Sequence, residues 1–281
     1  MLQPNASASP VRSRSWSPLR VVCGAFLALF LLLVVCLVGA DVSYLAVKGV
    51  GWRQALHLLG QERILFALRM SVATSLTTLA LVLLTAVPVG YALSRFHFPG
   101  RALANTFVDV PIVLPPVVIG ISLLAFFSFG VGEPIRRALE SRHLSLISGV
   151  GIVMCQYLMS VSYCIRSVKT AFHGVDPALE QVARVLGCSE WQAFWRVTLP
   201  LARNGLVAGG VMAWARAIGV FGPLMVFVGT GPRVLVMPTA LWLELSIGNI
   251  ETAILIALIM LGLAGVALTV VHWFSPEGTA V

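Results

Sequence analysis

Residues 176–200 read DPALEQVARVLGCSEWQAFWRVTLP, a polar passage with an internal plan set in an otherwise apolar chain. Asp176-Pro177 is a helix start: the aspartate can accept backbone N–H bonds, and proline's fixed φ suits the first turn. Leu179, Val182, Ala183 and Leu186 then recur at helical spacing on one face, with Glu180, Gln181 and Arg184 facing elsewhere. Gly187 supplies the left-handed residue that ends a helix. Ser189, with Gln192 three residues on, forms a capping box for a second short helix, striped by Trp191, Phe194 and Trp195 and stopped by Leu199-Pro200. Two readings fit this pattern. Either both helices lie on lipid, anchored by tryptophan, or the first docks in a partner protein while the aromatic one lies along the membrane.

Outward from this loop the chain turns apolar. Of its 281 residues 58% are hydrophobic and 11% charged, against about 45–50% and about 25% for an ordinary globular domain. Too few polar side chains remain to cover a soluble fold, so part of the solvent is lipid and the fold class is an all-α polytopic membrane protein. The net charge of +8 does not point to nucleic acid, because the arginines sit singly between apolar stretches and only Lys48 and Lys169 are lysines. They read instead as anchors at the ends of membrane helices. The five cysteines (Cys23, Cys36, Cys155, Cys164 and Cys188) form no C-x-x-C and have no histidine pair nearby, so neither a disulfide framework nor a metal site is indicated.

Six spans are expected: Val21–Ala40, Met70–Leu93, Val110–Val131, Leu144–Ile165, Gly205–Val228 and Thr252–Phe274. Val38-Gly39-Ala40 resembles a signal-peptide cleavage site, but the apolar core before it is longer than a secretory one, and it reads as a retained helix. With six spans, one side carries ten basic residues (Arg12, Arg14, Arg20, Arg95, Arg101, Arg166, Lys169, Arg184, Arg196 and Arg203). The other carries seven (Lys48, Arg53, Arg63, Arg136, Arg137, Arg142 and Arg233), which places the N-terminus in the cytoplasm. The expected organisation is a disordered cytoplasmic tail over 1–18, a first span with an external segment over 19–62, and a five-span core over 63–275. The polar loop occupies about 170–203 of that core.

Gly187, nine residues, then Val197-Thr198-Leu199-Pro200 resembles the EAA loop of bacterial ABC importer permeases. The E-A-A positions read Gln181-Val182-Ala183, with the glutamate one place early at Glu180. The resemblance continues in Leu68–Arg101, including the Phe98-Pro99-Gly100-Arg101 turn, and in Ala215-Arg216-Ala217-Ile218-Gly219. Residues 109–118, DVPIVLPPVV, are similar to the D-x-P-x-x-L-P-P-V-V stretch of molybdate-type permeases; sulfate permeases share its first half. In all, the likeness covers about residues 64–274. Molybdate and sulfate relatives usually have a glutamate where this chain has Val220, which removes a possible partner for Arg216.

The resemblance implies the transmembrane subunit of an importer of molybdate or tungstate, with sulfate, thiosulfate or another small solute as the alternative. It implies a homodimer in the bacterial inner membrane, in contact with lipid, with two cytoplasmic ATPase subunits that bind the ATP and an extracytoplasmic binding protein. The residues it assigns to ATPase coupling are Glu180, Gln181, Ala183, Arg184 and Gly187. No cofactor is implied for this chain.

The spans add candidate pathway residues. Arg216 lies inside the expected fifth span, where an arginine costs about 2.5–3.5 kcal/mol and must face the bundle interior or water. It either lines an anion route, forms a structural pair with Asp109, or snorkels. Pro111, Pro115 and Pro116 interrupt the third span and free backbone groups, which is tolerated only beside protein or a watery cavity. Asp109, Pro115, Pro116 and Arg216 are therefore the pathway candidates. Gly231 to Glu251 is too polar to span, and a short surface helix is expected from Met237-Pro238 onward.

Neither lysine follows a glycine, so the chain lacks the G-x-x-x-x-G-K-[ST] phosphate loop and, as an importer subunit, must borrow an ATPase. An ion-coupled secondary transporter would want paired intramembrane acids or inverted halves. An intramembrane enzyme would want H-E-x-x-H or G-x-S-x-G, and the five histidines lie at loops or span ends.

Overall fold

Long apolar runs can satisfy their backbone hydrogen bonds in lipid only within helices or closed barrels, and this chain takes the first course. A computed structural model describes residues 18–130, 132–141, 148–232 and 234–274, and among them there is no strand. The chain divides into two units, 1–50 and 51–281.

The first unit holds α1 (Pro18–Val47). Its side chains between Val21 and Val35 are almost all exposed, as suits a helix that is apolar on every face. It continues without a break through Val38-Gly39-Ala40, beyond the expected end of the first span. The expected tail lies outside the described residues except for Pro18.

In the second unit, α2 (Trp52–Leu59) and α3 (Glu62–Arg95) are followed by α4 (Arg101–Val113), α5 (Pro116–Ser128) and the short α6 (Gly132–Glu140). Then come α7 (Gly149–His173), α8 (Pro177–Val185) and α9 (Glu190–Ala193), followed by a π turn (Phe194–Thr198) and α10 (Leu199–Ile218). The last helices are α11 (Gly222–Phe227), α12 (Met237–Ser246) and α13 (Ile250–Phe274).

Helix α7 is the centre of the unit, with α3 and α10 packed along it. Val82, Ala86, Val168, Phe172, Ala202 and Ala213 fill that core. Small residues set the spacing: a Cβ on Gly90 would fall 2.8 Å from the Val168 side chain, and one on Gly209 would fall 2.9 Å from Ser167. Gly205 passes still closer to Ala171. Buried polar pairs fix the register between helices. Thr78 donates to Gln156 Oε1 at 3.0 Å, Trp214 Nε1 to Ser75 Oγ at 3.0 Å, and the Met237 amide to Ser71 Oγ at 2.7 Å.

Among the described residues three helical stretches are long and apolar enough to cross a membrane: Val21–Val47, Glu62–Arg95 and Ile250–Thr269. A fourth is counted if α4 and α5, bent by 110°, form one crossing. Helices α7 and α10, of 25 and 20 residues, are long enough but less apolar. Much of α7 is covered by its neighbours, so its Gln156, Ser160 and Ser162 need not meet lipid.

Several expectations are corrected. The third expected span is not one helix, because Leu114-Pro115 turns the chain between α4 and α5. The fifth ends at Ile218 and restarts as α11 at Gly222. Helix α7 begins at Gly149 and runs on to His173; the expected start of that span falls in 142–147, outside the described residues. The helix after Ser189 does not stop at Leu199-Pro200: the π turn carries it into α10, with Pro200 in the first turn. Proline there lacks the amide that would bond Arg196, so a widened turn at that point gives up little. Helix α12 is a surface helix only in part: Met237, Pro238, Thr239, Ala240 and Glu244 are buried, while Trp242, Leu245 and Ser246 are exposed.

Candidate functional site

The polar loop is built as its residue types require. Asp176 accepts from the Ala178 amide at 2.9 Å and starts α8. Gly187 adopts φ +93°, and the Cys188 amide reaches back to the Ala183 carbonyl at 3.0 Å, closing the helix with a left-handed turn. Ser189 and Gln192 form the reciprocal capping box of α9 at 2.9 and 3.2 Å.

Most of the apolar stripe of α8 faces outward, as either reading of the loop requires, and the departures are Ala183 and Glu180. Glu180 and Ala183 turn inward, Ala183 with 9% exposure, while Leu179, Val182, Val185 and Leu186 are exposed, the last two by 88% and 80%. The inward positions are held by an ion pair and a small residue. Gln181 and Gly187 are exposed, and Arg184 pairs with Glu190 at 3.0 Å across the turn. Of the five coupling candidates, three are thus on the outer side and two face the chain's own helices.

Glu180 has two partners that sequence reasoning missed. Its Oε1 accepts from Arg95 Nε at 2.9 Å and Nη2 at 2.8 Å, and its Oε2 from the Tyr91 hydroxyl at 3.1 Å. Arg95 also donates to the Val175 carbonyl at 2.8 Å. Tyr91 is wedged among Phe96, Phe172 and Phe194, with ring centroids 4.8–5.8 Å apart. The available signal was a basic residue closing a span within reach of an acid shifted one place along a helix.

A second site lies where two helices are broken. The start of α5 and the Gly219–Pro223 stretch meet: a Cβ on Gly120 would fall 2.9 Å from Pro223, and one on Gly222 would fall 3.3 Å from Pro116. Between them is a small cavity of about 170 Å³, lined by Pro116, Met159, Arg216 and the chain from Gly219 to Pro223. Pro116 and Arg216 are thereby brought together. Asp109 is not part of this cavity; it pairs with Arg166 at 3.6 Å, so the expected Asp109–Arg216 pair does not form. Pro115 marks the break itself.

Arg216 sits in the last turn of α10, exposed, 5.4 Å above the Tyr163 ring, and no carboxylate approaches within 4.0 Å among the described residues. Val220 is 4% exposed and packs with Ile119, Leu224 and Phe227. Where relatives of the resembled type carry an acid, this chain has a hydrocarbon wall.

Comparison with known proteins agrees with this architecture. Residues 86–277 match the family described as binding-protein-dependent transport system inner membrane component. The chain is 34% identical over 218 residues to the molybdenum transport system permease protein ModB of Escherichia coli K12, covering 73% of this chain and 92% of that one. It is 39% identical over 160 residues to the molybdate/tungstate transport system permease protein WtpB of Thermococcus kodakarensis, a match spanning 57% of this chain and 59% of the relative. Its fold is similar to that in the crystal structure of a bacterial alginate ABC transporter in complex with an alginate-bound periplasmic protein. That likeness has a TM-score of 0.68 at 19% identity, over 90% of this chain and 92% of the other.

Proposed function

This chain belongs to the family of binding-protein-dependent transport system inner-membrane components, and from that premise we propose that it is the permease subunit of an ATP-driven importer of molybdate or tungstate. Two copies form the pathway, each crossing the membrane six times through α1, α3, the α4–α5 pair, α7, the α10–α11 pair and α13, with the N-terminus in the cytoplasm. Two ATPase subunits bind the ATP beneath the α8–α9 turns, and an extracytoplasmic binding protein delivers the anion.

The observation that carries this reading is the α8–Gly187–α9 turn. It leaves Val182, Val185 and Leu186 bare on a nine-residue helix far too short to span, and a bare apolar patch of that kind fits a protein partner. Gln181, Arg184 and Gly187 flank the patch and serve as contacts. ATP-driven closure of the ATPase pair pushes on this turn, and the push is passed to the spans. Arg216, in the cavity between the two broken helices, supplies positive charge along the anion route, and Pro115 and Pro116 shape it.

Uptake of labelled molybdate by cells with and without the chain, alongside its ATPase and binding-protein partners, tests the proposal. Chain-dependent uptake that yields to excess tungstate and ignores excess sulfate is expected. Equal competition by sulfate would instead assign the sulfate branch, and uptake independent of the chain would end the proposal. Gly187→Pro should leave the protein in the membrane while uptake fails, because proline cannot adopt φ +93°; normal uptake by that variant would remove the turn from the mechanism.

A further inference from the structure

We infer that Glu180 is not an ATPase contact but a positioning residue that ties α8 to the end of α3, so that the two move as one body when the ATPase displaces α8. The inference rests on the coupling role proposed above and deepens it.

The geometry begins with register. Moving an acid one place along a helix turns it by about 100°, and the one-place offset between Glu180 and Gln181 is what separates an inward carboxylate from an outward amide. Inward, Glu180 meets Arg95 through two nitrogens and Tyr91 through its hydroxyl, with the arginine and glutamate side chains only 11% and 15% exposed. A side-on guanidinium fixes orientation as well as distance, which a single lysine-type contact would not.

Arg95 also holds the Val175 carbonyl, two residues ahead of α8, so it grips the helix at both its approach and its first turn. Among the described residues no other hydrogen bond or ion pair joins α8 to α3. The Arg184–Glu190 and Cys188–Ala183 contacts are internal to the loop, and at its start His173 Nδ1 lies 2.9 Å from Ser94 Oγ of α3. This cluster is therefore the direct polar tie between α8 and α3, beside the indirect route through α7, while α9 is joined to α10 by the chain itself.

The test uses the complete transporter in proteoliposomes, with ATP hydrolysis and molybdate uptake measured together. Glu180→Ala is expected to retain the ATPase subunit on purification and to hydrolyse ATP, while molybdate moved per ATP falls about tenfold, within the usual range of coupling between sites. Tyr91→Phe, which removes one hydroxyl, should lower that ratio about twofold. Exchanging the charges, Arg95→Glu with Glu180→Arg, should restore at least part of what Glu180→Ala loses.

A second readout does not depend on the substrate: spin labels on Val185 and Leu84, both exposed, should keep a constant separation on ATP binding in the wild type and lose it in Glu180→Ala. An unchanged ratio and an unchanged label distance in Glu180→Ala would overturn the inference. So would loss of the ATPase subunit from Glu180→Ala with a normal ratio in Tyr91→Phe, since that pattern marks a docking residue. Wild-type vesicles that move no molybdate would count against the proposed substrate alone, and the label distances would still decide the tie.

Discussion

Arg95 in the last turn of α3 and Arg216 in the last turn of α10 occupy the same local position, where a cation complements the exposed carbonyls of a helix end. Among the described residues only the first has an acid beside it. Arg95 is nearly enclosed and spends its donors on Glu180 and Val175. Arg216 faces a small cavity, with an aromatic ring below it and a buried valine where an acid would be in reach. One residue type at one kind of helix end thus sits in two different surroundings, one paired and one open to a cavity.

The contrast can be broken most completely by removing the frame that both arginines share. Gly205→Leu has no room against Ala171 and should push α10 off α7, at about 3 kcal/mol by the usual cost of overpacking. Thermal unfolding in detergent would register it, and both sites should fail together. Arg95→Met acts on one side of the comparison. It strands a nearly buried carboxylate, and with the remaining solvent access the loss should be about 2 kcal/mol, read as a lower unfolding temperature.

Arg216→Met should do the reverse. With no ion pair to lose, stability should stay within about 0.5 kcal/mol, while uptake falls about tenfold if the charge is worth a single charge-assisted contact in the pathway. Val220→Glu sharpens the comparison by giving Arg216 the acid it lacks. Uptake should fall about threefold, and adding Arg216→Met should make the carboxylate's effect disappear, a coupling that a double-mutant cycle measures.

Much of the loop was legible in the sequence because its signals are local. Asp176, Gly187, Ser189 and Gln192 each act on backbone within a turn of themselves, and each takes the predicted role. What escaped were properties set by distant neighbours. The inward turn of Glu180 escaped because its partners, Tyr91 and Arg95, lie 89 and 85 residues away in the chain. The breaks near Pro115 and Gly219 both carry a proline signal: Pro115 and Pro116 announce the first, and Pro223, which has no amide to give the Gly219 carbonyl, announces the second, although the expected fifth span ran through it. Likewise Asp109 and Arg216 looked like partners only while their spans were taken as straight. Once α4 and α5 diverge by 110°, Asp109 belongs to Arg166.

The π turn at Phe194–Thr198 has a mechanical meaning. A helix with one residue too many in a turn behaves as a lattice with a dislocation: the extra residue can be relayed along the chain by exchanging hydrogen bonds one at a time. Each step re-aims the residue it passes by about 100° and leaves the rest of the rod in place. Here the dislocation sits where α9 becomes α10, the Leu199 amide bonding five residues back to Phe194, one place before a proline that can offer no amide at all. The buried Thr198 hydroxyl, unpaired in this arrangement, lies at the same place. The chain thus joins its aromatic helix to the α10 rod through a wide turn, while the other arm of the loop is held to α3 by the Arg95–Glu180 pair.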